Sequence, residues 1–374
     1  MKRVAIVTWT RWRNYGTILQ SYALQKVIER LGYDTYVLPD KNIIPEYYIE
    51  NHKKPTLYER ISSRLNSMLY KPAPSLYDLY DKELTDKCEN FRRQNIKYWD
   101  ERFDNTDLSK IESCFDAFIC GSDQIWTSSD DLFSGYYFLD FVKQKPKISY
   151  APSISKRNYS QSKLSKMSDW LEDFSAVSVR EQLGKEVLSG IYKKDISICL
   201  DPTLLLTGDE WVNFLKLKYE PSNYVFCYFL GKQEWYKQES IAFCERKGLK
   251  LVYPPIVEED FPIGTAECQP DPKEFLYLIL NARYILTDSY HAMIFSLLFH
   301  KDFFVFSRFM PGDPSSENSR VEELSSQLGL QDRYIKEQGN IFLSHPVIDF
   351  QFAEAKLSYF RDFSVCFLLN SLNV

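Results

Sequence analysis

The sequence predicts an α/β protein of two domains, each built on a mostly parallel β-sheet with helices on its faces. A short apolar strand, a polar tip and a helix recur in this order through both halves of the chain, which is typical of doubly wound parallel sheets. The 374 residues exceed what one ordinary hydrophobic core accommodates, so two domains are expected. Residues 283–300 show the repeating unit most clearly, as a buried strand, a polar turn and an apolar helix.

Composition describes an ordinary globular chain and excludes several classes of function. The chain is 44% hydrophobic and 26% charged, with a net charge of −5, which argues against a nucleic-acid-binding protein. No segment is apolar for long enough to span a bilayer, and the N-terminal apolar run is too short for a signal peptide. The 8 cysteines contain no CxxC pair and the 4 histidines form no metal-binding motif. We therefore expect a cytoplasmic protein with neither a metal site nor a bound cofactor.

The N-terminal half of the chain alternates strands and helices. The predicted strands cover residues 4–8, 35–38, 115–120, 147–151, 176–180 and 196–200, and the predicted helices cover residues 17–31 and 84–99 and begin again near 182. Asn14 and Gly16 open the first helix, whose free N–H groups are suited to an anion or a sugar hydroxyl. The alternative is a plain strand-to-helix turn with Gly16 at a positive φ.

The C-terminal half repeats the pattern. Its predicted strands cover residues 224–230, 249–253, 284–286 and 303–306, and its predicted helices cover 237–247, 272–280, 320–328 and 352–372, with another beginning near 292. We place one domain at residues 1–210 and the other at 211–349. The C-terminal helix, within residues 350–374, is free to pack back on the first domain.

Residues 41–80 do not follow the alternation of strands and helices and are rich in proline, tyrosine and basic residues. Residues 57–70 fit an amphipathic helix with Arg60 and Arg64 on its polar side. One interpretation is a surface element, on the acceptor side of the cleft between the domains, that contacts a membrane or a lipid-linked acceptor. The simpler interpretation is a solvated insertion that covers one face of the first domain.

Polar side chains collect at the carboxyl ends of the predicted strands, where α/β sheets bind their ligands. They are Asp123, Arg180, Asp288, Ser289, His291 and Arg308. Arginine binds phosphate and carboxylate groups in a bidentate manner, and an imidazole donates or accepts a proton near neutral pH. This set favours an anionic substrate. The alternative for the turn before residue 292 is a helix cap, with His291 packed in the first turn.

Several segments together carry a resemblance to a known family. These are NYGTILQSYALQ, FICGSDQIW, YYFLDFV, KISYAPS, VSVREQLG, LDPTLLL, YILTDSYHAMIFS and NSRVEEL. In their order and spacing they resemble the polysaccharide pyruvyl transferase family. The resemblance implies two Rossmann-like domains facing across a cleft, similar to the glycosyltransferase B arrangement. It also implies transfer of a pyruvyl group from phosphoenolpyruvate to a sugar of a surface-polysaccharide precursor, which forms a cyclic ketal.

The same resemblance assigns roles to residues. It implies that His291 and Arg180 serve the donor and that Asp123 is catalytic. The chain departs from the family pattern in one place, because Ser289 stands where an arginine is expected two residues before the histidine. Arg308 or Arg320 would then supply the missing positive charge.

Two other functions remain open at this point. One is a glycosyltransferase that uses a nucleotide-activated sugar, and the other is a non-catalytic saccharide-binding protein. The expected partners of a pyruvyl transferase are phosphoenolpyruvate and a saccharide or lipid-linked oligosaccharide acceptor. For either enzyme, Asn14, Gly16 and Asp288 are further candidates for substrate binding.

Overall fold

The computed structural model describes residues 1–10, 12–51, 74–99, 107–261, 268–310, 312–313 and 316–373. Within these residues the strands are β1 (Arg3–Val7), β2 (Asp34–Leu38), β3 (Ala117–Cys120), β4 (Lys147–Ser149), β5 (Ala176–Val179), β6 (Ile196–Ile198), β7 (Tyr224–Tyr228), β8 (Lys250–Val252), β9 (Tyr284–Thr287), β10 (Asp302–Phe306) and β11 (Tyr334–Ile335). They form one sheet of order β2-β1-β3-β4-β5-β6 and a second of order β11-β10-β9-β7-β8. Every strand pairing in both sheets is parallel. The predicted fold class, α/β with two parallel sheets, is confirmed.

Helices connect the strands of both sheets. They are α1 (Tyr15–Arg30), α2 (Glu46–Asn51), α3 (Leu76–Asn95), α4 (Leu108–Ile111), α5 (Gln161–Leu171), α6 (Gln182–Ser189), α7 (Gly208–Leu215), α8 (Glu234–Lys247), α9 (Pro272–Asn281), α10 (Tyr290–Leu298), α11 (Ser319–Gln327) and α12 (Phe350–Leu372). Among the described residues, no helix is both long enough and apolar enough to cross a membrane.

Capping side chains explain where the observed helices differ from the predicted ones. Helix α3 begins at Leu76, well before the predicted residue 84, because Ser75 and Asp78 form a capping box. Helix α7 was not predicted, although Thr207 and Glu210 form the same box, and a Thr-x-x-Glu pattern is a recognised start signal.

The strand register places two groups of strand ends side by side. In the first sheet Val7 pairs with Cys120, so the segments after β1 and β3 emerge together. In the second sheet Thr287 pairs with both Tyr228 and Val305, so the segments after β7, β9 and β10 emerge together. The first group carries Asp123 and the second carries His291 and Arg308. This register determines which polar tips can reach one another.

The two sheets share one continuous hydrophobic core. Trp211 lies 5.6 Å from Tyr22 of helix α1 and 5.1 Å from Phe295 of helix α10, measured between ring centroids. Tyr15 stacks on Phe275 of helix α9 at 4.4 Å. Helix α1 of the N-terminal half therefore packs directly against helices of the C-terminal half.

The C-terminal helix contacts the first half of the chain. The Ser364 hydroxyl accepts the N–H of Leu200 at 3.0 Å, and Arg361 Nε donates to the carbonyl of Leu204 at 2.9 Å. The last strand of the first sheet ends at Ile198 and the first strand of the second begins at Tyr224. The exact division of the chain into domains at residue 210 stays a prediction.

The insertion at residues 41–80 is described only at its two ends. Helix α2 and the start of helix α3 belong to these ends. The predicted amphipathic helix of residues 57–70 lies outside the described residues, and so do Arg60 and Arg64. Its placement beside the acceptor side of the cleft therefore stays a prediction.

The shared core predicts a large cost for removing Trp211. This side chain is fully buried, and its Nε1 donates to the Thr203 carbonyl at 3.1 Å. We expect Trp211→Ala to lower the free energy of unfolding by about 3 to 5 kcal/mol, because it removes a large aromatic group and leaves a cavity. Urea denaturation measures this loss. Phe214→Ala on the same helix is the control, since Phe214 is 44% exposed and should change stability by about 0.5 kcal/mol or less. Equal losses in the two variants would contradict the shared core.

Candidate active site

A cavity of about 430 Å³ lies where the strand ends of the two sheets meet. Its N-terminal side is lined by Trp9, Trp12, Arg13, Asn14, Tyr15, Thr17, Leu84, Asp123, Gln124 and Leu132. Its C-terminal side is lined by Tyr228, Leu230, Pro255, Ile256, Ser289, Tyr290, His291, Arg308, Glu317 and Arg320. The structure thus brings together most of the residues that the sequence singled out.

The first turn of helix α1 forms the floor between the two sides. The Asn14 side chain accepts the N–H groups of Gly16 at 2.9 Å and Thr17 at 3.3 Å. Of the two interpretations from the sequence, one had these N–H groups facing a ligand, but here Asn14 accepts both of them. Gly16 instead lies against the imidazole of His291, because a Cβ added to Gly16 would lie 2.0 Å from His291 Nδ1. Glycine is required here by this close approach, not by a positive φ.

Asp123 occupies the turn after β3, as predicted, and is almost fully buried. Its φ of 65° is in the left-handed region, which an aspartate tolerates better than most residues. The carboxylate accepts the Thr17 hydroxyl on Oδ2 at 2.5 Å and the Gln124 N–H on Oδ1 at 3.0 Å. Just before it, Gly121 has a φ of 122°, and a Cβ there would lie 2.1 Å from the carbonyl oxygen of Tyr150. Asp123 is therefore held over the same helical turn that His291 contacts.

His291 lies in the first turn of helix α10, which Ser289 caps. The Ser289 hydroxyl accepts the N–H of Ala292 at 3.4 Å. His291 is 7% exposed and lines the cavity. Its Nε2 points away from solvent and lies 3.5 Å from Asp201 Oδ2, which is an ion-pair distance but too long for a well-formed hydrogen bond. The turn is thus a helix cap and His291 also lines the cavity, while its contact with a ligand stays a prediction.

Asp201 is a buried carboxylate next to the imidazole of His291. It follows β6 and has no exposed surface. One oxygen lies near Arg180 Nη1 at 2.8 Å and near His291, and the other accepts the N–H and hydroxyl of Thr203. Burial alone would raise the pKa of this carboxyl group, but His291, Arg180 and the Thr203 hydroxyl hold the pKa well below its usual value. Asp201 is therefore an anion across the ordinary pH range.

Arg180 lies behind the cavity, which corrects the expected position of the donor clamp. Its side chain is 1% exposed, and its guanidinium carbon lies 4.8 Å from the centroid of the Tyr290 ring. Tyr290 lines the cavity and Arg180 does not. Arg180 and His291 therefore share Asp201 instead of facing each other across one ligand. A residue at a strand end reaches the cavity only if its side chain turns toward it, and Arg180 turns toward Asp201.

Asp288 is buried and makes several hydrogen bonds to neighbouring groups. Its carboxylate accepts the N–H groups of Leu230 and Gly231, both at 2.7 Å. It also holds Arg308, whose Nε lies 3.2 Å from Oδ2 and whose Nη2 donates to the Asp288 carbonyl at 2.8 Å. Asp288 has no exposed side-chain surface and does not line the cavity. It positions Arg308, which does.

Arg320 is the second arginine on the C-terminal side of the cavity. Its Nη2 donates to Glu317 Oε2 at 2.6 Å, and its Nε lies 3.5 Å from the Glu317 carbonyl. Burial lowers the pKa of Arg320, Glu317 opposes that shift, and the nearby Arg180 and Arg308 add to it. Burial is the main cause of the lowered pKa, and Arg180 and Arg308 add further positive charge near this guanidinium.

Sequence reasoning missed several residues of this site. Glu317 lies in a polar loop with no pattern of its own, and Thr17 looked like an ordinary helix residue. Asp201 had a signal that was not used, since it follows a predicted strand as Asp123 does and belongs to the segment LDPTLLL. Trp9 and Trp12 follow β1 in the same way. Considering the residues after every predicted strand would have identified Asp201, Trp9 and Trp12 as candidates.

Comparisons with known proteins give one sequence match and several similar folds. A sequence profile described as Polysaccharide pyruvyl transferase matches residues 14–308. No curated protein matches the chain in sequence. The UDP-GlcNAc 2-epimerase from Neisseria meningitidis bound to UDP-GlcNAc has a TM-score of 0.46 at 10% identity, over 97% of this chain and 94% of that chain. The E. coli heptosyltransferase WaaC with ADP-2-deoxy-2-fluoro heptose has a TM-score of 0.40 at 11% identity, over 96% and 99%. At these identities the likeness extends to the fold alone.

The contact between Gly16 and His291 predicts a local effect of one methyl group. Gly16→Ala should displace the imidazole, which ¹H–¹³C NMR of the histidine ring would show as a shift of one resonance among those of the 4 histidines. Gly190→Ala is the control, because a Cβ there would meet only the Val187 carbonyl oxygen at 3.5 Å. An unchanged spectrum of Gly16→Ala would contradict the close packing. Alanine is favoured over glycine in a helix by about 1 kcal/mol, so any loss of stability would report the clash.

The charge of Asp201 predicts a pH-dependent stability. Asp201→Asn removes a negative charge that balances the buried guanidinium of Arg180. We therefore expect a loss of about 3 to 5 kcal/mol in the free energy of unfolding at pH 7. Because the folded-state pKa of Asp201 is lowered, its contribution is present above the unfolded-state pKa of about 4 and is lost as pH falls below that value. Urea denaturation between pH 7 and pH 3 tests this. The difference in the free energy of unfolding between the unaltered protein and Asp201→Asn should become smaller toward pH 3. Asp195→Asn is the control, because Asp195 is exposed and its replacement should cause no such difference.

Proposed function

The chain belongs to the polysaccharide pyruvyl transferase family, and from this membership we propose that it transfers a pyruvyl group from phosphoenolpyruvate to a sugar. The acceptor is a sugar of a surface-polysaccharide precursor, either a saccharide or a lipid-linked oligosaccharide, and two of its hydroxyls form a cyclic ketal with the pyruvyl group. We expect this reaction in the cytoplasm. Contact with the inner membrane face through residues 41–80 stays a prediction.

The main support for this proposal is that Arg308 and Arg320 line the same cavity as His291. Arg308 and Arg320 each contact their carboxylate residue through Nε and Nη2. Among the described residues, neither Nη1 makes a hydrogen bond. Each guanidinium thus keeps donors for a phosphate or carboxylate oxygen, while the partner holds it in place. These two residues supply the positive charge that Ser289 does not.

His291 is the proposed proton donor of the reaction. The methylene carbon of phosphoenolpyruvate takes a proton from the imidazole, and the central carbon becomes a cation that a sugar hydroxyl attacks. The bond to the phosphate oxygen then breaks, and the second hydroxyl attacks the same carbon to close the ketal. Inorganic phosphate leaves, so the sum is one diol plus phosphoenolpyruvate giving one ketal plus phosphate. In this proposal Asp123 accepts the two hydroxyl protons in turn, passing one to the departing phosphate and the other back to His291.

Arg180 acts in this proposal as a positioning residue. It contacts Asp201 and the face of Tyr290, and these two groups border His291 and the cavity. It does not need to touch the donor. Its replacement would disturb folding and the position of His291 together, so it is a poor probe of donor binding.

A second candidate function follows from the same ion pairs. Arg180, Arg308 and Arg320 each have a carboxylate partner, and a donor with nearly three negative charges must compete with Glu317 in particular. A nucleotide-activated sugar carries its charge on a diphosphate and offers a base and a sugar to the aromatic residues of the cavity. On this ground glycosyl transfer remains the alternative.

Donor binding separates the two candidates. We expect calorimetry to show binding of phosphoenolpyruvate, and Arg308→Ala and Arg320→Ala each to weaken it about tenfold or more, because a charged hydrogen bond contributes roughly 1.5 to 3 kcal/mol. Arg157→Ala is the control, since Arg157 pairs with Glu186 on the surface at 2.5 Å. Binding of UDP- or ADP-sugars in place of phosphoenolpyruvate would overturn the pyruvyl transfer and favour the alternative.

Measurements of turnover test the role of His291 and the effect of having Ser289 where the family pattern has an arginine. With a competent acceptor, His291→Ala should lower the rate of phosphate release by about 10² to 10⁴-fold while the protein stays folded. Ser289→Arg restores the family pattern and should raise the rate. Circular dichroism of both variants checks the fold, since Ser289 caps helix α10. A fully active His291→Ala variant would refute the assignment.

A further inference from the structure

Two tryptophans form an aromatic wall on the N-terminal side of the cavity. Trp9 and Trp12 come from the segment after β1, with ring centroids 6.3 Å apart and planes at 62°. Both line the cavity that contains His291. Trp12 is 43% exposed, whereas Trp126 and Trp211 are fully buried in the cores. We call these two residues the indole wall.

The two tryptophans differ in how deeply they are buried. Trp9 packs against the core of the first sheet as a partly buried residue, while Trp12 is more exposed and also lines the cavity. A large aromatic surface exposed beside a polar cavity is typical of a ligand-binding wall. Tryptophan is well suited to this, because it offers a broad apolar face at low conformational cost.

The N-terminal side of the cavity, where these tryptophans lie, also carries the Asp123 carboxylate, a hydrogen-bond acceptor. A carboxylate has about four lone-pair positions, and the Thr17 hydroxyl and the Gln124 N–H use two of those on Asp123. The Asp123 carboxylate can therefore accept hydroxyl groups of a ligand. Gln124 and Asn14 line the same side and add amide groups.

The cavity is thus divided by charge. The arginines that suit an anion, Arg308 and Arg320, come from the C-terminal half. On the N-terminal half, Arg13 is bound in an ion pair with Asp81 and a hydrogen bond to Tyr77 at 3.3 Å. An uncharged polyhydroxyl ligand fits the N-terminal side better than a phosphorylated one does.

We propose that the indole wall and Asp123 form the acceptor subsite, which binds a pyranose ring through one apolar face. A pyranose presents C–H groups on its faces and hydroxyls around its edge. Stacked on the wall, it would direct a pair of neighbouring hydroxyls toward Asp123 and the donor side. This inference rests on the proposed function, because it assigns the acceptor of that reaction.

Site-specific ¹⁹F NMR tests the subsite. The 7 tryptophans are labelled with 5-fluorotryptophan, and Trp9→Phe and Trp12→Phe assign the two signals of the wall. The probes are the methyl pyranosides of glucose, galactose, mannose and N-acetylglucosamine, each titrated to 100 mM, together with UDP and phosphoenolpyruvate. We expect at least one methyl glycoside to shift the Trp12 signal in a saturable way. No shift with any glycoside, or a shift with UDP alone, would overturn the acceptor subsite.

Matched variants separate stacking from general effects. Trp12→Ala should weaken binding of the responsive glycoside at least tenfold, and Trp12→Tyr should retain part of it. Tyr219→Ala is the control, because Tyr219 is 67% exposed and does not line the cavity. Equal affinities of Trp12→Ala and the unaltered protein would also overturn the proposal. Calorimetry measures the binding of phosphoenolpyruvate independently of glycoside binding. A protein that binds a glycoside but not phosphoenolpyruvate would refute the proposed donor and still support the acceptor subsite.

Discussion

A carboxylate with no exposed surface, Asp201, lies between the guanidinium of Arg180 and the imidazole of His291. A buried charge is costly unless it is paired and hydrogen-bonded, so each of these groups depends on the others for its place. Arg180 and Asp201 follow strands of the first sheet, whereas His291 lies in the helix that follows β9 of the second sheet. The ion cluster therefore ties the candidate catalytic imidazole to the opposite half of the molecule.

Close packing reinforces this link from the other side of the imidazole. Gly16 in the first turn of helix α1 leaves the space that His291 occupies, and the same helix joins the hydrophobic core shared by the two sheets. A large apolar contact between halves resists relative motion. The shared core therefore favours a cavity that is already formed before a ligand binds.

Within that cavity, the positive charges are restrained before any ligand binds. Asp288 and Glu317 hold Arg308 and Arg320 through the same two nitrogens of each guanidinium, Nε and Nη2. This arrangement limits the loss of side-chain entropy when an anion binds, but Glu317 also competes with that anion. The balance between these effects decides how strongly a highly charged donor is held.

The sequence by itself determined the parallel α/β architecture, because apolar strands and helices with polar tips are local patterns. It also placed Asp123 and His291 at the site, since each directly follows a strand whose carboxyl end faces the cavity. Only the tertiary structure decided that Arg180 and Asp288 turn away from the cavity and that Asp201 anchors the imidazole. The direction of a side chain at a strand end depends on partners distant in sequence, and a local pattern does not record them.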